Sequence, residues 1–154
     1  MGSIVVVNLH GLINTPAGPR ETLIELGNGK RFAATVVRDD PSTMGALELC
    51  KEYVAWCPID AELLTSMLRA RGRVSNSRPL GDEALKTIGA KDHAELASRM
   101  IREGSRLSSL EGVKPFFALS PPRGGLKRSS RRQYRQGGVL GENPKLPEIL
   151  RRML

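Results

Sequence analysis

The residues best suited to chemistry are six cations within residues 121–141, a segment that contains no acidic side chain. Guanidinium groups form paired hydrogen bonds with phosphate oxygens and stack on flat rings. The six are Arg123, Lys127, Arg128, Arg131, Arg132 and Arg135. Because they account for most of a formal net charge of +8, the excess charge is concentrated here and indicates a polyanionic partner.

The backbone around these cations is rich in glycine and proline. Gly124-Gly125 and Gly137-Gly138 bracket most of the run, and glycine lets a backbone approach a phosphate chain closely. Pro121-Pro122 is expected to stiffen the start of the segment and direct it away from the body. With few apolar residues to bury, the isolated segment is predicted to be disordered and to order on RNA.

Other partners compete for such a charge. A solvated tail, a nuclear-localisation patch and an anionic membrane surface are the alternatives. The segment has almost no Trp, Phe or Leu to insert into lipid, so RNA is favoured over a membrane.

Further candidates lie outside the basic segment. Lys30 and Arg31 follow a glycine turn, Lys51 precedes a predicted strand, and Asn14 and Thr15 offer neutral hydrogen bonds from a loop. The run 27–30 lacks the glycine and lysine spacing of a phosphate-binding loop, so it is interpreted as a turn.

Three alternating arginines form another possible extension of the basic surface. Arg69, Arg71 and Arg73 lie at a predicted helix end, where cations also interact favourably with the helix dipole. The sequence leaves RNA contact and a solvated helix end equally open for these three.

Cysteine and acid chemistry are not indicated. Cys50 and Cys57 are seven residues apart, which is not a zinc spacing of the C-x-x-C kind, and His10 and His93 lie far from them in the sequence. We interpret both thiols as packing residues, although a thiol enzyme would require only a lowered pKa at one of them. The acids fall mainly at helix starts. No catalytic residue, metal ligand or cofactor is predicted.

The elements that must position these residues begin with a β-α-β-α-β unit. The β-branched run from Ile4 predicts a strand to about Leu9. Pro19 predicts a helix start and Gly27 its end, a strand follows over 32–37, and Asp40-Pro41 opens a helix to about Glu52. Residues 53–56 then predict a third strand.

The rest of the chain is predicted to be an extension followed by the basic segment. Helices are expected over 60–71, after Asp82, and over 92–103, and an extra strand over 116–119. A short apolar and basic helix is expected over 146–154. We therefore divide the chain into a core (1–57), a helical extension (58–120) and a basic segment with its closing helix (121–154).

The composition agrees with a small α/β (α+β) protein. A 154-residue chain with 40% hydrophobic but only 4% aromatic residues fits one small core of aliphatic side chains. The apolar runs are shorter than a membrane span, and the first residues predict a strand rather than a signal peptide. Two cysteines form no disulfide framework, which favours a reducing cytoplasm.

Several motifs together resemble a known family. They are residues 40–45 (DPSTMG), 51–56 (KEYVAW), 59–60 (ID), Gly11, Asn14, 113–116 (VKPF), 119–125 (LSPPRGG), 127–128 (KR) and 137–141 (GGVLG). In this order they resemble large-subunit ribosomal protein thirty, in its longer archaeal branch, which is akin to eukaryotic large-subunit protein seven.

The resemblance implies a ferredoxin-like-related core and a structural role. It implies a non-catalytic constituent of the cytoplasmic large ribosomal subunit, with large-subunit rRNA and neighbouring ribosomal proteins as partners and no membrane or small-molecule substrate. Strand one begins almost at Met1, without the basic arm of eukaryotic members, which favours an archaeal source. A free regulatory RNA-binding or protein-interaction module is the alternative.

The sequence also departs from the family pattern. His10 and Leu12 stand where arginines commonly flank the first glycine, and Cys57-Pro58 replaces the usual glycine after the tryptophan. The first change removes positive charge near a strand end, so no phosphate role is expected there. The basic run 128–135 is expected to compensate.

Overall fold

A computed structural model describes residues 2–75, 78–110 and 112–154. Within these ranges the strands are β1 (Ser3–Asn8), β2 (Ala33–Arg38), β3 (Val54–Pro58), β4 (Phe117–Ala118), β5 (Ser129–Gln133) and β6 (Gly138–Glu142). The α-helices are α1 (Ala17–Glu25), α2 (Pro41–Leu49), α3 (Ala61–Arg71), α4 (Asp82–Ile88), α5 (His93–Glu103) and α6 (Leu146–Met153).

All six strands belong to one mixed sheet, in the order β4-β2-β1-β3-β6-β5. The central strand β1 is antiparallel to both β2 and β3, and β4 is antiparallel to β2. In contrast, β6 runs parallel to β3, and β5 runs parallel to β6. The chain is therefore an α/β protein with an antiparallel half and a parallel half in its sheet.

Alternation along β1 separates two layers of core, because successive side chains of a strand point to opposite faces. Ile4 and Val6 pack in one cluster with Leu23 of α1 and Leu47 of α2. Val5 and Val7 belong to a larger cluster that includes Leu64, Met67, Met100 and Leu150, from α3, α5 and α6. Helices thus cover both faces of the sheet.

Aspartates begin three of the helices, as the sequence predicts. The side chain of Asp40 accepts a hydrogen bond from the Thr43 backbone N–H at 2.7 Å, and Asp60 accepts one from Leu63 at 2.8 Å. These bonds satisfy N–H groups that have no partner within the helix. The hydrogen bonds from Thr43 are also the main reason why the pKa of Asp40 lies below its ordinary value.

The β-α-β-α-β order of the core is confirmed, with shifted boundaries. Helix α1 begins at Ala17 rather than Pro19, so the proline lies in the first turn of the helix. A proline is tolerated there because the backbone N–H groups of the first turn have no partner within the helix. Helix α2 ends at Leu49 rather than Glu52, because the backbone N–H groups of Tyr53 and Val54 both bond to the Cys50 carbonyl in a tight turn.

The basic segment differs most from expectation. Instead of projecting from the body without structure, it forms β5 and β6. Val139 and Leu140 are buried, and β6 pairs with β3. These apolar residues complete the sheet beside β3. In the sequence these two residues follow the charged run directly, and its composition hides the short strand.

Candidate nucleic-acid interface

The ends of several strands lie together on the side of the sheet where the loops connect them, and we call this side the loop edge. Asn8 at the end of β1 pairs with Val54 at the start of β3, and Val7 pairs with Ala34 near the start of β2. Because β6 and β5 run parallel to β3, they also start at this edge. The loop edge therefore comprises residues 9–16, 26–32, 50–53 and the starts of β5 and β6.

A buried asparagine organises the loop edge. Asn8 is fully buried, and its side-chain oxygen accepts hydrogen bonds from the backbone N–H groups of His10 at 3.0 Å and Gly11 at 2.8 Å. Its side-chain amide donates to the Asn28 carbonyl at 2.8 Å. One side chain thus connects the loop after β1 with the turn before β2.

Lys30 and Arg31, predicted as phosphate ligands, lie on this turn with exposed side chains. The ammonium of Lys30 lies 5.5 Å from the centre of the Phe116 ring, and the guanidinium of Arg31 lies 4.8 Å from that of Phe32. Cations over ring faces keep their charge and gain a preferred position. Both charges are held near the surface of the loop edge.

The remaining candidates of the loop edge differ in exposure. Asn14 is exposed in a left-handed backbone conformation, whereas Thr15 is half-buried and its hydroxyl donates to the Gly11 carbonyl at 3.1 Å. The Thr15 hydroxyl thus already has an internal acceptor. Lys51 is exposed and forms an ion pair of 3.9 Å with Glu48. Such surface pairs contribute little stability, so Lys51 can exchange partners readily.

Strand β5 carries the densest positive charge and forms one outer edge of the sheet. Arg131, Arg132 and Arg135 are exposed, as is Lys127, and none of them forms an ion pair with any residue that the structure describes. Arg128 is more ordered: its guanidinium lies 4.5 Å from the centre of the Tyr134 ring and donates to the Tyr134 carbonyl at 2.9 Å. The outer strand and the segments directly before and after it therefore present uncompensated cations to solvent.

The loop containing Arg123, Gly124 and Gly125 is fastened to the end of α6. The guanidinium of Arg152 donates to the carbonyl of Arg123 at 2.9 Å and to that of Gly125 at 2.6 Å. The Arg123 N–H in turn donates to the Arg152 carbonyl at 3.2 Å. Both glycines have positive φ, at 76° and 75°, which explains why glycines stand there.

Among the three alternating arginines, Arg71 has a structural role. Its guanidinium donates to the Ala118 carbonyl at 3.3 Å and the Ser120 hydroxyl at 2.7 Å. The N–H of Leu119 bonds to the Phe32 carbonyl, so the chain enters the 120–125 loop from the loop edge. Arg71 thereby helps to hold the 120–125 loop beside that edge, although the sequence left its role open.

The structure places the predicted cations at the loop edge, on the outer strand β5 or in the segments next to that strand. Two groups result: Lys30, Arg31 and Lys51 on the loops, and the cations of residues 123–135 on β5 and in the segments directly before and after it. A cavity of about 400 Å³ is lined by His10 and Tyr53 of the loop edge and by Arg131 of β5, among others. The loop edge and β5 thus border a common depression.

Sequence reasoning missed the residues that hold this surface in shape. Asn8, Tyr134 and Arg152 touch the charged loops directly, and the His10 and Tyr53 rings meet edge to face at 5.2 Å. An asparagine that ends a β-branched run was the one available signal, because a polar side chain there requires internal partners. The other contacts depend on tertiary placement.

Nucleophilic chemistry at the thiols is not supported. Both cysteines are buried, and burial, followed by the charge of Asp60, raises the pKa of Cys57 to about 12. Burial also raises the pKa of Cys50. A thiol enzyme needs the opposite shift. In the described ranges, no three His, Cys, Asp or Glu side chains are grouped to hold a metal, and no helix is long and apolar enough to cross a membrane.

Comparison with known proteins gives a consistent family. The family model of Ribosomal protein L30p/L7e matches residues 4–54. Large ribosomal subunit protein uL30 of Cenarchaeum symbiosum is 37% identical over 153 residues, covering 99% of this chain and 99% of the relative. The protein of the same name from Nitrosopumilus maritimus is 34% identical, covering 99% and 98% of the two chains.

A third relative shows that the match is not restricted to these two sources. The uL30 protein of Methanothrix thermoacetophila is 36% identical over 149 residues, covering 96% of this chain and 97% of its own. The similarity therefore includes the helical extension and the basic segment as well as the matched core. It confirms the resemblance drawn from the motifs: the chain belongs to the L30p/L7e family of ribosomal proteins.

Proposed function

We propose that the protein is a structural, non-enzymatic constituent of the large ribosomal subunit and binds folded large-subunit rRNA through the loop edge and β5. The relatives carry the name large ribosomal subunit protein. The observation that supports RNA binding is the set of exposed cations on β5 and in the loop before it, which lack acidic partners among the described residues.

The cations contribute through phosphate contacts and counterion release. Exposed arginines on an ordered strand have a fixed spacing, so less conformational entropy is lost on binding than from a disordered tail. Arg128 is already oriented by Tyr134, and Arg123 lies on a loop that Arg152 holds. Phosphate contacts position the protein, while the tertiary shape of the RNA supplies specificity.

The individual contacts are proposed as follows. The main phosphate ligands are Arg123, Lys127, Arg128, Arg131, Arg132 and Arg135, with backbone approach at Gly124 and Gly125. Lys30, Arg31 and Lys51 add charge from the loop edge, and Asn14 and Thr15 add neutral hydrogen bonds. Neighbouring large-subunit proteins are further partners.

The division into core (1–57), extension (58–120) and basic segment (121–154) is retained as a proposal about function. The extension supports the core face through α3 and α5, whereas the third segment supplies the cations. Strand β6 belongs structurally to the sheet of the core. Deleting residues 121–141 would remove β6, so charge substitution is the appropriate test.

The test replaces the six cations of residues 123–135 by glutamine in the full chain. We expect large-subunit association to be lost while the unfolding midpoint is nearly unchanged. The matched control replaces six exposed cations elsewhere by glutamine: Arg20, Arg78, Lys86, Lys91, Arg102 and Arg106. Association is measured by sedimentation of ribosomal subunits after a high-salt wash. Equal losses in both variants would contradict an interface centred on β5.

The unmodified protein decides between this function and a free regulatory module. A ribosomal constituent stays with the large subunit through the wash. If the unmodified chain were released quantitatively while still binding isolated RNA, the proposed structural role would be wrong.

A further inference from the structure

A second depression lies between the end of α2 and the β5–β6 pair. It encloses about 180 Å³ and is lined by Glu48, Lys51, Trp56, Tyr134, Arg135 and Glu142, together with three residues of β5 and β6. Small-molecule sites usually enclose roughly 300–1,000 Å³. The size of this cavity therefore suits a single flat group rather than a whole metabolite.

Sheet pairing sets the geometry of this cavity. Trp56 of β3 and Glu142 of β6 are direct partners in the parallel register, so their side chains lie side by side on one face. Gln133 and Leu140 also line the cavity of about 400 Å³ beside His10 and Tyr53. The two depressions therefore adjoin each other at Gln133 and Leu140.

The lining combines three kinds of group. Carboxylates of Glu48 and Glu142 only accept hydrogen bonds, whereas Lys51 and Arg135 only donate them. Tyr134 is half-buried and adds aromatic surface, whereas Trp56 is buried, with 3% of its surface exposed, and forms part of the wall. The indole N–H of Trp56 is buried and has no hydrogen-bond partner among the described residues. A phosphate group alone does not explain this lining, because the carboxylates of Glu48 and Glu142 would repel a phosphate.

A nucleobase matches all three kinds of group. Bases that are unstacked from RNA bind proteins through aromatic contact and through hydrogen bonds on their edges. Guanine presents two adjacent N–H donors on its Watson–Crick edge, which a carboxylate accepts, and two acceptors, O6 and N7, which suit Lys or Arg. The other three bases lack this pair of adjacent donors.

We propose that this cavity binds one unstacked guanine nucleotide of rRNA. Glu142 accepts from the Watson–Crick edge of the base, which packs against Tyr134 next to the buried Trp56, while Lys51 and Arg135 contact its phosphate or acceptor atoms. The proposal rests on the proposed RNA-binding function and assigns one base contact within it. A protein segment is the competing occupant, but a chiefly polar lining that includes Lys51 and Arg135 favours a nucleotide.

The single tryptophan of the chain lines this cavity, so its fluorescence reports on occupancy. The full chain is titrated with the five-nucleotide RNAs UUGUU, UUAUU, UUCUU and UUUUU at low salt. We expect a saturable change in Trp56 emission with UUGUU at concentrations where the other three give little change. N-acetyltryptophanamide, titrated in parallel, corrects for absorption by the RNA.

The variant Glu142→Gln keeps the size of the side chain and replaces one acceptor oxygen by a donor. The preference for UUGUU is expected to fall about tenfold, as for loss of one paired base contact. Glu62→Gln, on the exposed side of α3, removes the same charge elsewhere and should leave the preference unchanged. Glu48→Gln tests the second carboxylate in the same way.

Each outcome is decisive. Guanine preference that depends on Glu142 supports the proposal. Equal response to all four RNAs overturns base selection. An unchanged Trp56 emission in a protein that still binds large-subunit rRNA overturns the nucleotide pocket and favours a protein occupant. Failure to bind rRNA at all would instead refute the proposed function.

Discussion

The side-chain amide of Asn8 donates a 2.8 Å hydrogen bond to the backbone carbonyl of Asn28, and both residues are fully buried. The side-chain amide of Asn28 in turn donates a hydrogen bond to the Val6 carbonyl at 3.3 Å. The end of β1 and the turn before β2 are therefore joined by a pair of buried asparagines. This pair fixes the position of the turn that carries Lys30 and Arg31.

Replacing Asn8 by alanine should destabilise the fold and misplace the loop edge. The variant leaves the Asn28 carbonyl and the N–H groups of His10 and Gly11 without their partner. We expect a loss of about 2–4 kcal/mol in the free energy of unfolding, since each buried polar group left unsatisfied costs roughly 1–3 kcal/mol. Urea denaturation measures this loss.

Thr87→Ala is the control for Asn8→Ala. It removes an exposed side-chain bond to the Glu83 carbonyl within α4 and should change stability by less than about 0.5 kcal/mol. If the two variants were equally stable, Asn8 would not organise the loop edge as described.

Local signals were sufficient to predict much of the core. Asp40-Pro41 and Asp60 mark helix starts because capping depends on adjacent residues, and the β-branched run from Ile4 marks β1. Strand β6 was missed because its two buried apolar side chains, Val139 and Leu140, are too few to form a periodic pattern. Its stability comes from pairing with β3, which is distant in sequence.

The candidate site was predictable in residue type but not in arrangement. Charge density identified the cations of residues 123–135, because that signal is compositional. The fastening of Arg123 by Arg152 and the stacking of Arg128 on Tyr134 could not be foreseen. Both depend on how β5 and α6 pack in three dimensions.

A side chain at Gly138 should separate β5 from β6. A Cβ at this position would overlap the backbone carbonyl of Arg132, which cannot move without breaking the strand pair. Gly138→Ala is therefore expected to increase hydrogen exchange throughout residues 129–133 and to weaken RNA binding. Mass spectrometry of exchanged peptides measures the first effect.

Gly45→Ala is the matched control for Gly138→Ala. This glycine lies in α2, where a Cβ would have nothing within 4 Å. Alanine should stabilise the helix by about 0.5–1 kcal/mol. Unchanged exchange in Gly138→Ala would mean that β5 does not depend on close approach to β6.

The thiol of Cys57 should be inert in the folded protein. Burial raises its pKa to about 12, so the reactive thiolate is scarce at neutral pH. Reaction with a disulfide reagent should be slow at pH 8 and become fast in denaturant. Rapid labelling of Cys57 in the native state would contradict its burial and reopen a thiol function.

The same shift predicts a pH dependence of stability. Above the ordinary pKa of 9.0, the unfolded chain releases the Cys57 proton while the folded chain keeps it up to about 12. The unfolded state then binds fewer protons, so the free energy of unfolding falls as pH rises between these values. Cys57→Ala should show a smaller fall between pH 9 and 10.5 than the unmodified protein.

The fastening of the Arg123 loop can be separated from charge by comparing neighbouring arginines. Arg152→Gln breaks two bonds to the loop, whereas Arg151→Gln removes the same charge from an exposed position on α6. We expect the first variant to weaken rRNA binding by several-fold more than the second. Equal affinities, measured by filter binding at one salt concentration, would show that only the charge matters.

The cations of β5 should determine the salt dependence of RNA binding. Arg131 and Arg132 are exposed and without ion pairs in the described structure, so each is free to neutralise one phosphate. Replacing both by glutamine should reduce the log–log slope of affinity against salt by about 1.4–1.8, at roughly 0.7–0.9 per contact. The pair Lys86→Gln and Lys91→Gln removes equal charge from exposed positions of the helical extension and should leave the slope nearly unchanged. A slope that fell equally in both pairs would indicate a response to net charge alone, because only direct phosphate contacts distinguish one side of the molecule from the other.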